Sequence, residues 1–256
     1  MMQIQLPYVT YQVSNNIGTI EFFTPQHNSM PGAILEKLAA LIEEAGNDAN
    51  SKVLILQTAG EKTFCAGAFF DELLLIQNEE EGKQFFSGFA KVINAMRKCP
   101  KFIIGRIQGK AIGGGVGLAA TCDYTFATTE ASIKLSELAV GIGPFVVAPA
   151  IINKIGKSAT YELAIDATNF RSAAWAKEKG LYTEIFKSIE EMDIAIQKLA
   201  FTLAVSSEKA MGEIKKAFWQ GTEDWDTTLY DRAAISGKLI VTEEAKSYLM
   251  AFKKWK

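Results

Sequence analysis

The segment FIIGRIQGKAIGGGVGLAATCDYTFATT, residues 102–129, places a glycine-rich loop between two runs of β-branched and aromatic residues. The first run, FIIGRI, is short and continuously apolar, which is typical of a strand buried on both faces of a parallel sheet. The glycines of GGGVGL allow positive φ angles and the close approach of another group to the backbone. The segment therefore predicts a buried strand, a glycine loop and a second strand.

The sequence around this segment continues the alternation of strands and helices. Upstream, VLILQT (53–58) predicts another buried strand, and the loop GEKTFCAGAF (60–69) follows it. The opening runs YVTYQV and IGTIEFF predict a hairpin, and PGAILEKLAALIEEAG (31–46) predicts an amphipathic helix. From about Pro144 the pattern is nearly all helical. We predict an α/β core followed by helices, without a linker that would separate independent domains.

Composition and charge narrow the possible functions. The chain has 256 residues, a formal net charge of −2 and no long lysine or arginine run, so a nucleic-acid partner is not expected. No apolar run approaches the roughly 20 residues of a membrane helix, and the first residues lack a signal-peptide pattern. We therefore expect a cytoplasmic protein with no membrane partner. Three separated cysteines and a single histidine, His27, favour neither disulfides nor a metal site.

The glycine loop has both a structural and a functional interpretation. It could be a tight turn packed on a neighbouring strand, or the start of a helix whose unpaired amides face an anion. Spacing alone does not decide between them. A dinucleotide-binding loop is disfavoured, because only Leu118 to Asp123 separate the glycines from the next strand and a Rossmann unit needs a full helix there.

Two further segments are candidates for a site. In FCAGA (64–68), the small side chains of Ala66, Gly67 and Ala68 leave their amides accessible, while Cys65 is expected to be a buried small residue rather than a nucleophile. In SEL (136–138), Glu137 lies between apolar stretches, where a carboxylate is costly to bury unless it is paired or functional. An exposed loop glutamate and a helix-cap partner remain alternatives for Glu137.

Together, FCAGA (64–68), GGGVGL (113–118), the following CD (122–123) and SELAVGIGP (136–144) resemble the crotonase superfamily of enoyl-CoA hydratases and isomerases. In motif the chain is most similar to bacterial methylglutaconyl-CoA hydratase-like members. The resemblance implies an α/β fold made of a crotonase-like spiral of ββα units. It implies a core with the CoA thioester site at residues 1–195, and a C-terminal helical region at 196–256 that forms trimers or dimers of trimers.

The resemblance also implies roles for particular residues. The amides of Ala68 and Gly114 would form an oxyanion hole, and Glu137 would be the acid–base residue. Hydratases of the family commonly carry another glutamate two residues after the glycine triplet, where this chain has Gly117. Phe69 stands where the family has an aspartate. The substrate-binding residues implied are Lys62, Ala66, Gly67, Phe69, Phe70, Gly113, Gly115, Gly117 and Pro144.

The activity implied is hydration of the 2,3 double bond of an enoyl-CoA, with 3-methylglutaconyl-CoA as a candidate substrate. Isomerisation of the double bond by the same glutamate and a catalytically silent CoA-thioester binder are the alternatives. No cofactor is expected, because coenzyme A is part of the substrate. Lys62, together with Lys253 and Lys254 of a neighbouring subunit, would contact the CoA phosphates.

Overall fold

The strands of the protein form two sheets in this computed structural model, which describes residues 6–253. In chain order they are β1 Tyr8–Ser14, β2 Ile17–Phe23, β3 Val53–Thr58, β4 Thr63–Cys65, β5 Phe102–Ile107, β6 Lys110–Ile112, β7 Tyr124–Thr128, β8 Ile133–Lys134 and β9 Glu184–Phe186. The large sheet has the order β1-β2-β3-β5-β7-β9, and the small sheet has the order β4-β6-β8.

Helices pack on both faces of the large sheet. They also make up most of the last third of the sequence. They are α1 Gly32–Asn47, α2 Phe70–Leu75, α3 Glu79–Lys98, α4 Gly114–Thr121, α5 Ala148–Ile165, α6 Ala173–Glu178, α7 Ile189–Ala204, α8 Glu208–Phe218, α9 Trp225–Ile240 and α10 Glu243–Lys253. The predicted α/β architecture with a helical last third is confirmed.

The first hairpin forms where the sequence predicts it. Asn15 and Asn16 adopt left-handed φ angles of 53° and 61°, which a two-residue turn between β1 and β2 requires and asparagine tolerates. Every later pairing in the large sheet is parallel. The apolar runs of β3 and β5 are buried because these strands lie in the middle of the sheet with packed layers on both faces.

The spiral places three loops side by side. In three successive units, a strand of the large sheet (β3, β5 or β7) is followed by a strand of the small sheet (β4, β6 or β8). The strands of the small sheet are parallel, so their carboxyl ends lie at one edge. The FCAGA loop, the glycine triplet and the segment with Glu137 leave the sheet at this edge, and the fold therefore brings together motifs that are distant in sequence.

The C-terminal helices pack on the core of the same chain. Helix α9 lies along α3 so closely that a Cβ atom on Gly82 would be 2.7 Å from the Cα of Gly237. Helix α10 contacts the 3-10 turn at Leu138–Val140 that follows Glu137. The division at residue 195 and the role of 196–256 in assembly stay predictions.

A buried ionic cluster fixes α8 to the core. The ammonium of Lys215, which is 2% exposed, donates to the carboxylate of Asp123 and to the carbonyl of Lys101, both at 2.8 Å. Asp123 also accepts from the amide of Ile103 at 2.7 Å, so its negative charge has several donors. A paired and hydrogen-bonded charge of this kind becomes costly when one partner is removed.

Between residues 6 and 253, no helix combines the length and the apolar character needed to cross a membrane. The same part of the chain contains no group of three or more His, Cys, Asp or Glu side chains placed to hold a metal ion.

Candidate active site

A cavity of about 400 Å³ opens at the edge of the small sheet where the three loops meet. Most of the predicted site residues line it: Ala66, Gly67, Ala68, Phe69, Phe70, Gly113, Gly114, Glu137 and Pro144. Phe145, Val146 and Val147 line it as well, and the wall is largely apolar. The fold thus brings the FCAGA loop, the glycine triplet and the glutamate to one cavity.

The FCAGA loop is held by the segment before α1. The amide of Met30 donates to the carbonyl of Gly67 at 2.7 Å, and the amide of Phe69 donates to the carbonyl of Met30 at 3.2 Å. Ala68 lies between Gly67 and Phe69 in the chain, and its own amide has no hydrogen-bond acceptor among the described residues. An unpaired amide at a cavity wall is a donor available to a ligand.

Gly67 brings this loop against the glycine triplet. Its φ angle is +80°, and a Cβ atom there would lie 2.7 Å from the carbonyl oxygen of Ile112 and 3.2 Å from the amide nitrogen of Gly114. Only glycine fits both the conformation and the space. The backbone of the first loop is therefore close to the backbone amide of the second.

Gly114 begins α4, which settles the interpretation of the glycine loop as a helix start. The amide of Gly113 donates to the carbonyl of Lys134 at 2.8 Å, and Val116 donates back to the carbonyl of Gly113 at 2.9 Å. The Gly114 amide has no acceptor within residues 6–253, as expected for the first turn of a helix. Ala68 and Gly114 thus present two unpaired amides on adjacent loops.

Glu137 faces the glycine triplet from the end of β8. A Cβ atom on Gly113 would lie 3.0 Å from Oε1 of Glu137, and Oε2 is buried without a hydrogen-bond partner in the described part of the chain. Burial raises the pKa of this carboxyl from its ordinary 4.5 to about 7, against a smaller lowering by its own backbone amide. A carboxyl with such a pKa can both accept and donate a proton near neutral pH.

The position of the second hydratase glutamate is occupied by apolar packing. Gly117 lies inside α4, and a Cβ atom there would be 2.6 Å from Cγ1 of Val147. Gly117 does not line the cavity, and neither does Gly115, whose backbone packs on Cys65. Of the described carboxylates, only Asp71 and Glu137 line the cavity.

Cys65 and His27 do not form a nucleophile and base. Cys65 is fully buried, and burial raises the pKa of its thiol to about 12, which disfavours the reactive thiolate. His27 is exposed where it lines the cavity.

The structure does not bring Lys62 to the cavity. Lys62 is exposed and outside the lining, and its carbonyl accepts from the amide of Lys110 at 3.2 Å. The cavity is instead lined by Lys110 and Lys134, which sequence reasoning missed. The strand register that places them on the cavity face was not readable from the sequence. Lys254 lies outside the described residues, as does the side chain of Lys253.

Comparisons with known proteins show the family of the chain. Residues 12–254 match the profile of the Enoyl-CoA hydratase/isomerase family. The chain is 29% identical to the short-chain-enoyl-CoA hydratase of Clostridium acetobutylicum over 97% of this chain and 95% of that protein. It is 30% identical to the mitochondrial methylglutaconyl-CoA hydratase of Mus musculus over 88% of this chain and 73% of that protein.

A solved structure shows the same fold. The enoyl-CoA hydratase from Bacillus halodurans superposes with a TM-score of 0.88 at 21% identity, covering 95% of this chain and 99% of that one. The architecture is therefore the crotonase fold, as the motifs predicted. The chain belongs to the enoyl-CoA hydratase/isomerase family.

Proposed function

We propose that this protein stabilises the enolate of a CoA thioester with the amides of Ala68 and Gly114 and moves the proton with Glu137. The observation that carries the proposal is the meeting of two acceptor-free amides and one buried carboxyl in a single cavity. Preorganised donors at a developing oxyanion each contribute roughly 3 to 4 kcal/mol to transition-state stabilisation. The reaction needs no cofactor beyond the coenzyme A of the substrate.

The first candidate reaction is hydration of an enoyl-CoA. The thioester oxygen accepts from both amides, and the Glu137 carboxylate takes a proton from water as the water oxygen bonds to C3. The electrons of the double bond move to the thioester oxygen as an enolate. Protonation of C2 by Glu137 then restores the carboxylate and completes the addition of water. A pKa of about 7 suits a group that acts first as base and then as acid.

The names of the relatives support a short acyl group. One relative is named a short-chain-enoyl-CoA hydratase and another a methylglutaconyl-CoA hydratase. Phenylalanines and valines line the cavity, among them Phe69, Phe70 and Val146, and they favour an aliphatic chain beside the thioester. We propose crotonyl-CoA and 3-methylglutaconyl-CoA as the first substrates to test.

The packing of Gly117 favours a second candidate, double-bond isomerisation. Val147 fills the space where a second carboxylate would hold and activate water. Transfer of a proton between C2 and C4 needs one base and no water, so Glu137 alone is sufficient. Both reactions develop negative charge on the thioester oxygen, as a 3-hydroxyacyl enolate in hydration and as a dienolate in isomerisation, so the same two amides stabilise both.

An experiment in ²H₂O separates the candidates. The protein is incubated with crotonyl-CoA, 3-methylglutaconyl-CoA and a 3-enoyl-CoA, and the products are followed by mass spectrometry and NMR. Hydration gives a 3-hydroxyacyl-CoA with deuterium at C2, whereas isomerisation gives a 2-enoyl-CoA without added water. Glu137→Gln is expected to lower turnover at least a hundredfold.

Glu130→Gln, at an exposed glutamate outside the cavity, is the matched control and should keep wild-type turnover. Wild-type protein that binds these thioesters without turnover would favour a silent binder. Turnover that survives in Glu137→Gln would reject the role of Glu137. The homotrimer or dimer of trimers and the cytoplasmic location stay predictions, to be tested by light scattering and fractionation.

A further inference from the structure

Two lysines line the cavity without a carboxylate partner. Ile112 of β6 pairs with Lys134 of β8, and Lys110 lies two residues before Ile112, so both lysines stand on the same face of the small sheet. Both residues line the cavity. Neither forms an ion pair with any carboxylate in residues 6–253. The face therefore carries two uncompensated positive charges in a protein whose net charge is −2.

An aromatic ring holds the two ammonium groups near each other. The Nζ atoms of Lys134 and Lys110 lie 4.5 and 5.3 Å from the centroid of the Phe170 ring. These distances are within the range of cation–π contacts. The shared ring stabilises each charge but does not neutralise it, so the two ammonium groups still repel each other.

The segment that carries Phe170 is fixed beside β8. The backbone of Arg171 exchanges two hydrogen bonds with Ile133, at 2.8 and 2.9 Å. The Arg171 guanidinium is paired with Glu162 and Asp166, both at 2.9 Å. The carboxylates of Glu162 and Asp166 are thus paired with Arg171 and not with the lysines. Phe170 is held in place next to Lys134.

The lysine pair is adjacent to the proposed reaction centre. The carbonyl of Lys134 accepts from the amide of Gly113, the residue that faces Oε1 of Glu137. Burial, and in second place the charge of Lys110, lowers the pKa of Lys134. A bound anion would relieve the repulsion between the lysines and form charge-assisted hydrogen bonds with both.

We propose that Lys110, Lys134 and Phe170 form a subsite in the cavity for an oxyanion of the thioester substrate, either a carboxylate on the acyl group or a phosphate of coenzyme A. This inference rests on the proposed function, since it assigns part of the same substrate. If the oxyanion is a carboxylate at the end of the acyl group, as in a glutaconyl thioester, the subsite would determine which acyl groups the protein accepts. Lysines that only extend along an apolar rim toward water are the competing interpretation.

Binding of thioesters that can be neither hydrated nor isomerised tests the subsite without net turnover. Calorimetry compares glutaryl-CoA, butyryl-CoA and free coenzyme A on the wild type, Lys110→Gln, Lys134→Gln and the double variant. Lys37→Gln, at an exposed lysine of α1 outside the cavity, controls for the loss of one charge. Circular dichroism and thermal melting verify that each variant is folded.

The outcomes separate the two sources. With an acyl carboxylate, each cavity variant weakens glutaryl-CoA about tenfold or more and leaves butyryl-CoA unchanged. With a CoA phosphate, all three ligands weaken by the same factor. Equal affinities in the wild type and the double variant for all three ligands would overturn the subsite but leave the proposed function standing. Failure of the wild type to bind any thioester would overturn the proposed function and the subsite with it.

Discussion

Replacement of Glu137 by glutamine should remove a cost of folding that the wild type incurs as the pH rises. Burial raises the pKa of Glu137 from 4.5 to about 7 in the folded protein. In the folded protein this carboxyl therefore keeps its proton at pH values where the unfolded chain has lost it. Folding becomes less favourable as the pH rises from about 4.5 to about 7, and the cost is constant above that range.

The size of the change in the free energy of unfolding follows from the shift in the pKa of Glu137. A difference of about two and a half pKa units corresponds to about 3 kcal/mol at pH 8, and to almost nothing at pH 4. Glutamine has the shape of the protonated carboxyl but does not ionise. Relative to the wild type, Glu137→Gln should gain about 3 kcal/mol in free energy of unfolding between pH 4 and pH 8. Any effect of the buried amide itself is the same at both pH values and cancels in this comparison.

Urea unfolding at pH 4 and pH 8 measures the two free energies. Glu130→Gln is the matched control, because a substitution at an exposed glutamate is expected to change the free energy of unfolding by less than about 0.5 kcal/mol at either pH. A stability difference between wild type and Glu137→Gln that is equal at both pH values would refute the reasoning. It would mean that the carboxyl is hydrated in the folded protein.

Three further predictions concern catalysis and packing. The kcat/KM of the hydration or isomerisation should rise with pH through about 7, as Glu137 loses its proton and becomes a base, in a stopped-flow pH profile. Gly67→Ala should lower kcat at least tenfold, because its Cβ would collide with the carbonyl of Ile112 and displace the Ala68 amide. Lys215→Ala should lower the free energy of unfolding by about 3 kcal/mol in urea, since it leaves the largely buried carboxylate of Asp123 without its cation.

Each of these predictions has a result that would contradict it. A kcat/KM that is flat between pH 5 and pH 9, a range of roughly two pH units either side of neutral, would exclude a base with this pKa. Wild-type kcat in Gly67→Ala would show that the loop does not position a catalytic amide. For the ionic cluster, the double variant Lys215→Met with Asp123→Asn should be more stable than Lys215→Ala. Equal stability would show that the pairing contributes little.

Local sequence signals predicted the elements that frame the site. The opening runs YVTYQV and IGTIEFF predicted the hairpin, and its turn is formed by Asn15 and Asn16 in the left-handed conformation that asparagine tolerates. The apolar run of β3 predicted a strand buried on both faces, and its position in the sheet explains the pattern. The resemblance then predicted that the FCAGA loop, the glycine triplet and Glu137 meet, as they do at one cavity.

Features that depend on contacts between distant segments were not predicted. Lys62, which is exposed just before β4, stays a predicted contact of the CoA phosphates, but no pattern in the sequence indicated that its strand neighbour Lys110 lines the cavity. Lys134 reaches the same cavity because β6 pairs with β8. A helix separates these two strands in the sequence, so no local pattern predicts their register. The packing of Val147 on Gly117 likewise joins α4 to the segment before α5 and has no local signal.

The account depends on enolate formation at C2, and proton exchange at that carbon tests it most directly. Butyryl-CoA, which can be neither hydrated nor isomerised, is incubated with the protein in ²H₂O, and NMR follows the C2 protons. We predict that the wild type introduces deuterium at C2 and that Glu137→Gln does so at least a hundredfold more slowly. If deuterium does not enter, or enters at the same rate with Glu137→Gln, then Ala68, Gly114 and Glu137 do not form the enolate site described above.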